Sequence, residues 1–173
     1  MLSIYIATSA NGFISNSRNV PDWLSSAYGQ DFFEVCQRTK AVIMGKTTYN
    51  ILAPDHLPLQ DDGISVVLTS KKNIKPANST VVFTHDNPHE IVAMLEHKGY
   101  REAVIIGGTT VVSDFLNAGL VNEIVMVVEP WLFGEEALPL LRDVKTDNSL
   151  KLLDCTRLNS DTVKLHYQIA RTA

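Results

Sequence analysis

Cysteine is scarce in this chain. Cys36 and Cys155 are its two copies, and they stand far apart with no CxxC or zinc-ligand spacing. That excludes a disulfide framework and a cysteine zinc site, and leaves two buried thiols of a cytoplasmic protein as the expectation. Long hydrophobic runs are lacking too. None approaches the roughly 20 residues that a membrane helix needs. The opening Met1-Leu2-Ser3-Ile4-Tyr5 has no basic region before its apolar stretch, so it reads as a first strand rather than a signal peptide. Excess positive charge is absent as well. Lys and Arg number 15 against 19 Asp and Glu, for a net charge of -4, which argues against nucleic-acid or membrane-surface partners. The histidines His56, His85, His89, His97 and His166 are scattered singly, so no metal constellation is visible. His85, just beyond a predicted strand, either reaches a ligand or is a surface or capping residue.

What remains is an ordinary globular composition, 45% apolar and 20% charged over 173 residues. The length fits a single domain over residues 1–173 with a core of its own. Residues 2–8 read as a buried strand and residues 9–22, polar and rich in Asn, Gly and Pro, as a long loop. Phe32, Phe33, Val35 and Cys36 set a helical pattern over residues 28–39. Short apolar runs at 41–44, 64–69, 81–83, 103–106 and 124–128 read as strands. Asn87-Pro88-His89-Glu90 is a helix start, with Asn87 as cap and Glu90 as the capping-box acid. Gly99 should stop that helix, and Gly119 the later one that follows Gly107-Gly108 and runs to Ala118. The tail, residues 150–170, reads as an antiparallel hairpin around Asn159-Ser160-Asp161. Strands alternating with helices and ending in a hairpin predict an α/β fold, with a mixed sheet covered by helices on both faces. Ligands of such sheets bind beyond the carboxyl ends of the parallel strands.

Three segments carry chemistry. In Val42-Ile43-Met44-Gly45-Lys46-Thr47-Thr48-Tyr49 a strand delivers a glycine and then a helix start bearing a lysine and two threonines. Backbone N–H groups, hydroxyls and a cation converge there, which suits a phosphate. A glycine turn with a solvated lysine and a threonine cap is the plainer alternative. A Walker A loop is excluded, because Lys40 stands where that motif needs its first glycine. In Val104-Ile105-Ile106-Gly107-Gly108-Thr109-Thr110 two adjacent glycines allow close backbone approach and aim helix N–H groups at a pyrophosphate. The GxGxxG fingerprint is missing, so an ordinary Rossmann site is not supported, and a tight strand–helix turn is the alternative. In Val67-Leu68-Thr69-Ser70-Lys71-Lys72 hydroxyls and two lysines follow a strand. Those lysines are either solvated or, beside Lys46, hold a 2′-phosphate, which would favour NADPH over NADH.

Taken in order, the Asn-Gly-Phe-Ile loop, Val-Ile-Met-Gly-Lys-Thr-Thr-Tyr, Leu-Thr-Ser and Ile-Ile-Gly-Gly-Thr…Phe-Leu resemble the dihydrofolate reductases over residues 2 to about 130. The resemblance implies a three-layer α/β/α fold with a mostly parallel central sheet, and NADPH as cofactor. It implies that Gly45, Lys46, Thr47, Thr48, Thr69, Ser70 and Lys71 hold the adenosine and its 2′-phosphate. Gly107, Gly108, Thr109, Thr110 and Val111 would hold the pyrophosphate, with Ala7, Ile14 and Ser15 near the nicotinamide. Later, Gly119-Leu120-Val121-Asn122-Glu123-Ile124 and the stretch Glu129-Pro130-Trp131-Leu132-Phe133-Gly134 are more similar to the reductase domain of the riboflavin-biosynthesis deaminase/reductase. Folate reductases carry an early helical acid in register with Gly29, an arginine for the folate tail in register with Gly63, and a threonine in register with Val127. The acidic Asp61-Asp62 beside Gly63 would repel that tail. The riboflavin branch usually reads Ser-Leu-Asp-Gly where this chain has Ser9-Ala10-Asn11-Gly12, and the deaminase motifs of that enzyme are missing.

The expected function is thus an NADPH-dependent reductase of a small heterocyclic, carbonyl or imine substrate, resembling 5-amino-6-(5-phosphoribosylamino)uracil reductase. A divergent dihydrofolate reductase and a non-catalytic nucleotide-binding protein are the alternatives. Asn11 and Trp23 are the substrate-side candidates, Trp23 either covering the substrate or packing behind the loop. Asp31 and Glu129 are the candidate proton donors, with an ordered water as a third source. A homodimer is expected by likeness to the family.

Overall fold

The computed structural model of the chain describes residues 1–53, 55–71, 74, 76 and 79–170. Six parallel strands make most of an eight-stranded sheet: β1 (Leu2–Ser9), β3 (Ala41–Gly45), β4 (Ile64–Leu68), β5 (Val81–Thr84), β6 (Ala103–Ile105) and β7 (Glu123–Glu129). The predicted hairpin, β9 (Ser149–Arg157) and β10 (Val163–Ala170), joins β7 antiparallel, giving the order β5-β4-β3-β6-β1-β7-β10-β9. Its turn is held by the Asn159 side-chain oxygen, which accepts from the N–H groups of Asp161 and Thr162.

The central strands are apolar on both faces, as strands buried under helices must be. Ala41 and Ile43 of β3 face one core with Ile4, Ile105 and residues of α3 (Pro88–His97) and α4 (Thr109–Asn117). Val42 and Met44 face the other, with Val104 and residues of α1 (Ser26–Thr39) and α2 (Lys46–Leu52). The period of two therefore divides each strand between two helical layers, and the α/β/α sandwich expected from the sequence is present. Local chemistry fixes the helix ends. Asn87 and Glu90 form the full capping box of α3, and Gly99 and Gly119 take positive φ after α3 and α4.

The long loop of residues 9–22 is not all loop. It holds β2 (Phe13–Ser15), which pairs antiparallel with β8 (Leu138–Pro139). Both strands are too short for an alternating pattern, and each finds its partner more than a hundred residues away. Local sequence therefore carries no trace of them. Their pairing draws residues 9–15 against the segment after β7, beside the carboxyl ends of the parallel strands.

Candidate functional site

The chain returns from β5 through α3 to insert β6 between β3 and β1. The carboxyl ends of β1, β3 and β6 thus lie side by side, where the strand order reverses. The turns after them are joined. The Gly45 N–H donates to the Gly107 carbonyl at 2.8 Å, and the Ile106 N–H to the Ile43 carbonyl at 3.0 Å. Gly107 has φ +121°, a backbone that side-chain-bearing residues rarely adopt, and the Gly107–Gly108 peptide is cis. Gly45 and Gly108 are the N-caps of α2 and α4, and neither helix start receives a side-chain cap. Both helices therefore turn uncapped first-turn N–H groups toward the same place.

That place is a cleft of about 1460 Å³, more than a drug-sized ligand fills. Fourteen of the fifteen residues expected at a cofactor line it: Ala7, Ile14, Ser15, Gly45, Lys46, Thr47, Thr48, Thr69, Ser70 and the run Gly107, Gly108, Thr109, Thr110 and Val111. The Lys46 ammonium lies 4.2 Å from the Tyr49 ring centroid and 4.8 Å from that of Phe83, so two aromatic faces position it. His85 lines the cleft at this end, next to Asn87 and Pro88. Lys71 is the exception. It is exposed and off the cleft wall, and its N–H bonds the Thr69 hydroxyl at 3.2 Å. Lys72 lies outside the described residues.

Three of the four remaining candidates, Asp31, Glu129 and Asn11, lie off the cleft wall. The Asp31 carboxylate accepts from the Tyr5 hydroxyl at 2.5 Å and pairs with Lys164 at 2.7 Å, and it does not line the cleft. Burial, then the hydrogen bond to Asp31, pushes the Tyr5 hydroxyl far above its ordinary pKa. Glu129 is 1% exposed. One of its oxygens accepts from the Ser25 N–H and hydroxyl, at 3.0 and 2.8 Å, and the other from the Thr162 hydroxyl at 2.8 Å. Ser25 is also the N-cap of α1. Glu129 thus ties a helix start to the hairpin turn, and its acceptors are spent on that task. Asn11 faces away from the cleft as well. It donates to the Phe133 carbonyl at 2.8 Å and accepts from the Phe133 N–H at 3.1 Å, pinning the turn after β1 to the loop after β7. Trp23 does line the cleft, buried edge-to-face against Phe133 with centroids 5.1 Å apart. It packs and covers at once.

Residues not singled out from sequence complete the wall: Tyr28, Phe33, Ile51, His56 and Arg142 among them. Tyr28 and Phe33 were legible only as part of a helical pattern, because the same spacing serves a core and a binding face. Burial pushes the Tyr28 hydroxyl above its ordinary range, against an opposing hydrogen bond from the Ala7 backbone. Tyr28 is therefore a protonated hydroxyl beside the residue expected at the nicotinamide.

Across residues 1–164 the chain matches a known family, that of the RibD C-terminal domain. The chain belongs to the RibD C-terminal domain family. Among its relatives is YwjB of Bacillus subtilis, a protein named as uncharacterized, 27% identical over 170 residues and covering 95% of each chain. A Shewanella protein provisionally named for riboflavin biosynthesis superposes with a TM-score of 0.83 at 22% identity, over 98% of this chain and 99% of that one. The Thermotoga maritima diaminohydroxyphosphoribosylaminopyrimidine deaminase/5-amino-6-(5-phosphoribosylamino)uracil reductase gives a TM-score of 0.78 at 15% identity, over 98% of this chain and 56% of that one. These structural likenesses establish the fold.

Proposed function

We propose that the protein is an NADPH-dependent reductase of a small heterocyclic, carbonyl or imine substrate, by the class of reaction named for the Thermotoga enzyme. The supporting observation is the convergence on one cleft of two glycine-capped helix starts, the Thr47, Thr48, Thr69 and Ser70 hydroxyls and the Lys46 ammonium. This donor set suits a dinucleotide: N–H groups and hydroxyls for its phosphates, one cation for a 2′-phosphate. Bound NADPH would supply the hydride. The chain's own residues do the rest. Gly107 to Val111 and Gly45 to Thr48 bind and orient the cofactor, and Ala7, Ile14 and Ser15 border the nicotinamide. Trp23 and the segment around it shield the acceptor from water. Tyr28 presents a hydroxyl that keeps its proton and can donate a hydrogen bond to a reduced nitrogen or oxygen.

A folate substrate is disfavoured by a specific contact. A Cβ at Gly63 would sit 2.1 Å from the Lys40 carbonyl oxygen, so no side chain fits where folate reductases carry their arginine. The non-catalytic reading draws on a different observation, the commitment of Asp31 and Glu129 to structural partners. Two assays separate these readings. A reductase consumes NADPH when a suitable acceptor is added. A nucleotide-binding protein binds NADPH and consumes none across a broad panel of heterocyclic and carbonyl acceptors. Turnover of dihydrofolate would restore the folate reading.

A further inference from the structure

The cleft has a second half, and its chemistry differs from the first. Beyond Ala7 it is walled by Trp23, Tyr28, Phe32, Phe33, Ile51 and Leu52. The rings of α1 stand in file, Tyr28 against Phe32 with centroids 5.8 Å apart and Phe32 against Phe33 at 5.3 Å, and His56 packs on Phe33 at 5.4 Å. Ile51 is 38% exposed although it lies on a cavity wall, so this apolar surface is open to an occupant.

Positive charge is missing there. Among the described residues the lysines and arginines lining the cleft are Lys46 and Arg142. Lys46 is held over Tyr49 and Phe83 at the adenosine end. Arg142 is tied to α4 through its backbone N–H, which donates to the Ser113 hydroxyl at 3.0 Å, and is otherwise exposed. Two lysines nearer the acceptor half, Lys40 and Lys164, are paired with Asp62 and Asp31 and do not line the cleft. Gly63 admits no side chain. The segment after α2 carries Asp55, Asp61 and Asp62, exposed and off the cleft wall. A phosphorylated ligand entering this half would lose water and meet no lysine or arginine on its wall. A flat uncharged ring would stack on the aromatic file and find hydroxyls at Ser26 and Tyr28 for its polar edge.

We propose that the acceptor half of the cleft takes an uncharged, planar, phosphate-free ring, so that this chain has left the phosphoribosyl substrates named for its relatives. This rests on the reductase reading for the identity of the other half, but the acceptor half can be probed alone. The experiment titrates lumazine, an uncharged phosphate-free pteridine, and 5-amino-6-(5-phosphoribosylamino)uracil into the protein with and without NADPH, following tryptophan fluorescence and calorimetry. Lumazine is expected to bind at least tenfold tighter than the phosphoribosyl compound, and Phe33→Ala to weaken it at least tenfold. Ile51→Arg, at an exposed position that folding tolerates, is expected to reverse the preference by supplying the missing cation. Equal or tighter binding of the phosphoribosyl compound to the unaltered protein overturns the proposal, as does lumazine binding that neither variant alters. Failure of NADPH to bind counts against the reductase reading, and the cofactor-free titrations then still decide this one.

Discussion

Lys46 shows how one side chain can set cofactor choice. Its ammonium is fixed by two rings at the end of the cleft that Thr69, Ser70 and His85 also line. A lost charge-assisted contact is worth roughly 1.5–3 kcal/mol. Lys46→Ala should therefore weaken NADPH by about tenfold or more while leaving NADH nearly unchanged, as read by titration of each cofactor. Equal losses for both would remove the 2′-phosphate role. Gly63 makes a different claim at the same scale. Any Cβ there overlaps the Lys40 carbonyl oxygen, so Gly63→Ala should cost about 3 kcal/mol or more in urea unfolding, with the backbone forced to move. Cys36 gives a pH dependence. Burial pushes its thiol up to about 12 from the usual 9.0. The folded protein then holds this proton more tightly than the unfolded chain does. The associated stability is full below about pH 9 and is lost as the pH rises toward about 12. Tyr5 and Tyr28, also raised, act in the same direction. The urea midpoint should fall in alkali, and Cys36→Ala should make that fall shallower.

At the scale of elements, Glu129 is the instructive case. It ends β7 at the edge of the sheet where ligands bind, yet its oxygens hold Ser25 at the start of α1 and Thr162 in the hairpin. Glu129→Ala should cost about 2–4 kcal/mol by leaving those donors buried and unpaired. Glu129→Gln should cost less and leave kcat largely intact, because it removes no group from the cleft. A large loss of kcat in Glu129→Gln at unchanged stability would restore the catalytic role. The same contrast explains what the sequence made legible. Strand-then-glycine-then-helix segments announce their geometry locally, so Gly45 to Thr48 and Gly107 to Val111 were readable as ligand-binding turns. Glu129, Asp31 and Asn11 each take a partner more than a hundred residues away, namely Ser25, Lys164 and Phe133. No local pattern shows whether such a carboxylate or amide faces a ligand or another loop. The β2–β8 pair was hidden for the same reason.

For the whole molecule, insertion of β6 between β3 and β1 makes the site, since it brings both glycine turns to one crevice. The edge of the sheet bears on the expected homodimer. Every residue of β9 is exposed, Leu150, Leu152 and Leu153 among them, and among the described residues one side of the strand has no partner. Bare edges of this kind are normally covered or blunted. If a second copy covers it, light scattering should give a dimer mass that Leu152→Glu reduces to that of a monomer. A monomer before substitution would contradict the homodimer. The central claim, that the crevice is a dinucleotide site, has a more direct test in thermal unfolding with and without NADPH. A ligand that binds the folded chain at 100 times its Kd stabilises it by about 2.7 kcal/mol. The melting temperature should rise by several degrees with NADPH and clearly less with NADH, whereas no rise at saturating NADPH would contradict the account.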